Sequence, residues 1–97
     1  MSPEEQVNRG EEARRLMQHP LLAEAFATIE QEVTEAWQNS PARDVTGRES
    51  LWLQVKLLHR LRGQLESVME TGKVAQATLA QRAAEAALSI GRRLSGR

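Results

Sequence analysis

The chain has no cysteine and no tyrosine, and two tryptophans with one phenylalanine are the only aromatics among its 97 residues. Without cysteine there is no disulfide framework, no thiolate metal cluster and no cysteine nucleophile, and the redox compartment stays unread. So few aromatics leave little for base stacking on single-stranded nucleic acid. No apolar run approaches the roughly 18 residues of a membrane-spanning helix, and the acidic start is unlike a signal peptide. Glycine-rich phosphate loops, nucleophile elbows and paired His or Cys ligands at metal spacing are also missing. Catalysis is the least expected class of function, and neither a metal nor a cofactor is expected.

What remains is the composition of a soluble folded chain, 40% hydrophobic and 27% charged. Its size allows one small domain, since such a chain removes only roughly two-thirds of its unfolded surface from water. The formal charge of zero hides a division. Residues 1–50 carry ten acids against five arginines, a net −5, and residues 51–97 carry eight bases against three acids, a net +5. Such asymmetry steers partners, or supplies acidic and basic faces that meet within a fold or between copies.

Helix signals run throughout. Ser2-Pro3-Glu4-Glu5 opens a first helix over 1–18 with a serine cap, a proline at the first position and a capping-box glutamate. Glu5/Arg9 and Glu11/Arg15 are i,i+4 pairs in the favourable order. Few apolar residues and an internal Gly10 make this the weakest element on its own, one that orders against a partner. Pro20 restarts the helix to residue 38, where Leu22, Phe26, Ile29, Val33 and Trp37 form one stripe at a 3.6-residue period. His19 caps that start or sits exposed, and Asn39-Ser40-Pro41 ends the helix.

Thr46 and Glu49 form a second capping box, predicting a long helix over 47–71 that stops at Gly72 in a left-handed cap. Its apolar residues, from Leu51 through Met69, cover about 200° of the circumference, far more than a single packed face requires. A last helix over 74–95 carries an aliphatic stripe of Ala75, Leu79, Ala83, Ala86, Ile90 and Leu94. Beside it runs a small-residue seam, Ala77, Ala80, Ala84, Ala87 and Gly91, at heptad-like steps. Arg92, Arg93 and Arg97 suit the C-terminal end of the helix dipole. The expected architecture is all-α, with three to four helices forming an antiparallel bundle or an extended helical hairpin around a long third helix.

Trp52 lies outside the apolar arc of the long helix, with Lys56, His59 and Gly63 as neighbours. An aromatic flanked by polar groups suits a partner contact, or the preceding loop folds over it. Trp52, Leu53 and Lys56, together with the five seam residues, are therefore the candidate interface. Arg82, Arg92 and Arg93 share a polar face that could follow a phosphate backbone, against a solvated-face reading of the same residues.

Pro41-Ala42-Arg43-Asp44, Gly47-Arg48-Glu49-Ser50-Leu51-Trp52-Leu53, Lys56-Leu57-Leu58 and Met69-Glu70-Thr71-Gly72-Lys73 make up a distinctive helix–loop–helix stretch. With His19-Pro20-Leu21-Leu22 and Ala25-Phe26 before it, it resembles small helical proteins of tailed bacteriophages and prophages over about residues 10–75. The resemblance implies a virion or assembly component, located in the virion or the host bacterial cytoplasm. Its partners would be further copies of the chain or other phage proteins. The alternatives are a nucleic-acid-binding factor in genome packaging or ejection, and an inhibitor of a host enzyme or defence complex whose acidic half engages a basic surface.

Overall fold

The Ser2 hydroxyl accepts a hydrogen bond from the Glu5 amide at 3.1 Å, and helix α1 runs from there over Pro3–Gln18. In the computed structural model, which describes residues 1–95, α2 follows over Pro20–Asn39 and α3 over Val45–Ser95. His19 both ends α1 and begins α2. Its extended backbone breaks the helix, and its Nδ1 accepts from the Leu21 amide at 3.2 Å. No strand occurs among the described residues. Arg97 lies outside them.

Two boundaries differ from those expected. The long helix begins two residues early, because Asp44 rather than Thr46 is its cap: the Asp44 carboxylate accepts from the Gly47 amide at 3.1 Å. Nor does it stop at Gly72. The expected helices over 47–71 and 74–95 are one helix of 51 residues, and none of the described glycines has a positive φ. Glycine weakens a helix interior by about 1 kcal/mol relative to alanine but does not forbid it. What holds α3 straight through Gly72 is α1, which packs on it there.

Successive contacts give the chain path. Gly10 meets Gly72, Phe26 lies under Arg62, Glu30 faces His59, and Trp37 lies under Arg48. As the first member advances along the chain the second retreats, so α1 and then α2 lie antiparallel to α3, end to end. The outline is accordingly 83 × 25 × 19 Å, with a radius of gyration of 22.5 Å. A compact chain of this length would have about 13 Å.

The α1–α3 contact is the most extensive in the molecule. A Cβ on Gly10 would stand 2.9 Å from the Gly72 Cα, and one on Gly72 would stand 3.0 Å from the Gln6 carbonyl oxygen. Backbone therefore lies directly on backbone, with Ala13 and Ala75 buried alongside. The helix expected to be weakest is thus anchored by the glycine that made it look weak. Its surface carries a Glu11–Arg14 pair at 2.9 Å, not the i,i+4 pairs expected. Hydrogen bonds from Arg14, and then its charge, hold the Glu11 carboxyl below its usual pKa.

The α2–α3 contact uses larger groups, with Phe26 and Val33 buried. Arg48 closes the turn between them. Its guanidinium lies 4.2 Å from the Trp37 ring centre and donates to the Ser40 hydroxyl and carbonyl and to the Trp37 carbonyl, capping the end of α2. Lys and Arg side chains are favourable at such helix ends.

Candidate interaction surface

Only four apolar residues are buried among the described ones: Ala13, Phe26, Val33 and Ala75. The reason lies in how α3 spends its apolar arc. Leu51, Val55, Leu58, Leu65, Val68 and Met69 are half-buried against α1 and α2. Leu53, Leu57 and Leu61, at four-residue steps on the flank, are 54%, 66% and 53% exposed. The helix wheel puts this flank on the side of the α2–α3 pair opposite the Glu30–His59 contact. On the same side α2 exposes Ala25, Ile29 and Ala36. The result is an open apolar groove between two helices.

Beyond Leu79 every described residue of α3 is exposed. Pro3, the first residue of α1, lines a recess with Thr78, so α1 covers α3 only to that point. Residues 80–95, about 24 Å of helix, project with nothing packed on them. The seam residues Ala80, Ala84, Ala87 and Gly91 are all on this projection, and Ala77 is exposed just before it. Arg82, Arg92 and Arg93 are exposed there too, as are Leu88, Ile90 and Leu94.

Trp52 is 52% exposed, so the preceding loop does not fold over it. Its ring forms one wall of a shallow apolar cleft of about 140 Å³ with Val33, Thr34, Trp37, Leu51 and Val55. The Lys56 ammonium stands 5.1 Å above the Trp52 ring centre, a cation–π contact. Such a cleft is smaller than the roughly 300 Å³ at which small-molecule sites begin. Leu53 points to the other side of α3, into the groove. The structure thus separates the candidate residues into three places: the Trp52–Lys56 cleft, the groove holding Leu53, and the projecting seam.

No chemistry-bearing cluster competes with these surfaces. No group of three or more His, Asp or Glu residues able to hold a metal occurs among the described residues. His59 lies with its Nε2 3.6 Å from Glu30, which also faces Arg62 at 3.9 Å, a contact joining α2 to α3. Among the described residues, no helix is long and apolar enough to cross a membrane.

Sequence reasoning missed the structural roles of three residues. Arg48 had no motif to announce it. Gly10 and Gly72 each carried a signal, since two glycines inside helical patterns mark a place where helices can approach closely, but each was read alone. No protein-family model, curated protein or solved structure matches the chain.

Proposed function

We propose that this chain is a small helical assembly protein that works by packing α3 against further copies of itself or a structural partner. The tailed-phage resemblance makes a virion or assembly component the natural setting. The observation that carries the reading is surplus surface. A folded monomer of this mass exposes about 5,600 Å². This chain exposes 7736 Å². The excess of about 2,100 Å² exceeds the ~800 Å² that each partner contributes to a standard interface and falls in the range of obligate assemblies. Much of it is apolar, on the groove and on the projecting end of α3.

Multi-angle light scattering across a hundredfold range of concentration tests this reading. Association of the purified chain, or its recovery at fixed copy number in purified virions, is the expected result. A strict monomer absent from virions would sink it. The arginines of the projection keep nucleic acid as a second outcome, read by mobility shift at several salt concentrations.

A further inference from the structure

Resting on that reading, we infer that copies of this chain join head to tail. The projecting end of α3 in one copy lies in the α2–α3 groove of the next, and the two α3 helices run in the same direction. Length, apolar spacing and charge each select this occupant and this direction.

The seat is bounded at both ends. Helix α3 begins at Val45 and meets α1 at Val68, so about 34 Å of it lies clear of α1. The projection, about 24 Å long, fits within that span. Direction follows from α1. On the helix wheel Gly72 and Leu79, which α1 covers, share one face with Ala83 and Ile90 of the projection. An incoming α3 running the opposite way would continue past the groove into α1 of the receiving chain. One running the same way leaves by the open end of the hairpin, beyond the turn at residues 40–44.

Packing of ridges into grooves sets the register. Leu53, Leu57 and Leu61 on the receiving flank, and Ala86, Ile90 and Leu94 on the projection, are exposed rows of the same four-residue step. Ile90 seats between Leu53 and Leu57, and Leu94 between Leu57 and Leu61. Ser95 then comes level with Arg60, short of α1 at Val68. Leu79 comes level with Asp44, just before the receiving α3 begins. The incoming α1, which covers its own α3 only as far as Thr78, therefore meets the turn end-on and overlaps neither helix of the receiving hairpin.

Charge selects the same direction. Helix α2 carries four glutamates and no basic residue, whereas residues 80–95 carry three arginines and one glutamate. With the aliphatic stripe laid on α3, the flank of the projection turned toward α2 carries Arg82 and Arg93, both exposed. On α2, Glu32 lies on the open side, lining a shallow recess with Ala25 and Ile29. Glu30 faces His59 and the helices are antiparallel, so Glu32 stands level with Leu57 of the receiving α3. Arg93 arrives level with Leu58. The register that seats Ile90 and Leu94 thus sets an arginine beside a glutamate. Reversing the projection would turn its small-residue seam toward α2 and its arginines away.

Such a contact is heterologous. Each copy keeps a free groove or a free projection, so association continues beyond the dimer into a filament. Cysteine crosslinking tests this cleanly because the full chain contains no cysteine. Leu57→Cys combined with Ile90→Cys places the thiols about 50 Å apart on one straight helix. No intrachain disulfide can span that distance. Mild oxidation is expected to give a ladder of covalent dimers, trimers and longer products, while each single variant stays uncrosslinked. Circular dichroism checks that the variants stay helical, and Glu32→Cys with Arg93→Cys stands in if the first pair perturbs folding. A covalent dimer from Ile90→Cys alone would mean that projections pair with each other; it overturns this inference and leaves the assembly reading intact. So would a double variant whose crosslinking stops at the dimer, or an associated chain in which neither double variant crosslinks. A strict monomer at every concentration, by light scattering on the unmodified chain, overturns both.

Discussion

Gly10 and Gly72 show how much one hydrogen atom in place of a methyl group decides. Alanine is the better helix former by about 0.8–1 kcal/mol, and at an open site that gain is realised. At Gly63 a Cβ would meet nothing within 4 Å, so Gly63→Ala should stabilise the chain by about that amount. At Gly10 or Gly72 the same change drives a methyl group into backbone that cannot give. The expected result is a net loss of about 1–3 kcal/mol, as in an overpacked core. Urea denaturation of the three variants checks this; equal effects at all three would remove the close crossing. The cap of α3 offers a second residue-level comparison. Asp44→Ala should cost about 1 kcal/mol and Thr46→Ala much less, because the Asp44 carboxylate holds the Gly47 amide. The sequence showed a capping signal at the right turn of the chain. The capping box pointed to Thr46, and only the hydrogen bond from the Gly47 amide moves the cap to Asp44, two residues earlier.

At the scale of elements, α3 behaves as three different helices in succession. Over Leu51–Leu65 it packs on α2 through large aliphatic side chains, over Val68–Ala75 on α1 through small ones, and from Ala80 on nothing in its own chain. Residues 80–95 are helical as the continuation of α3, nothing in the chain packs on them, and the proposed association would cover them. Amide hydrogen exchange should be fast over residues 80–95 in dilute solution and slow as concentration rises. Protection independent of concentration would contradict that association. Ile90→Asp puts a charge on the aliphatic stripe and removes the burial of a large side chain, worth about 2 kcal/mol. Sedimentation should show self-association weakened at least about tenfold, with helical content in the concentrated sample falling only near the C-terminal end. The two stripes of this segment were legible from residue spacing alone. Their exposure was not, because a periodic apolar row reads the same whether it packs within the chain or waits for another.

The whole molecule resolves the charge division seen in the sequence. The acidic first half lies lengthwise along the basic α3, yet Glu30, facing His59 and Arg62, is the acid whose ion pairs reach across. Other charges pair within a single helix, as Glu11 with Arg14 and Glu70 with Lys73, or stay on the outer surfaces. An 83 Å molecule with four buried apolar residues should unfold with low cooperativity as a monomer. Association stabilises by mass action, so its melting temperature should rise with protein concentration. Differential scanning calorimetry over a fiftyfold concentration range measures this directly. A melting temperature that stays constant would count against assembly.

Local chemistry in the sequence by itself determined where the helices start and stop at Ser2, His19-Pro20 and Ser40-Pro41, because a cap or a proline acts within one turn. It determined the apolar faces as well, since a period of 3.6 residues needs no tertiary context. Only the tertiary structure decided that the chain runs straight through Gly72. It alone set Gly10 against that residue, and left Leu53, Leu57, Leu61 and the end of α3 uncovered. Those outcomes depend on which residues distant in the chain come to lie side by side, and a glycine that could end a helix continues it when another backbone needs the space.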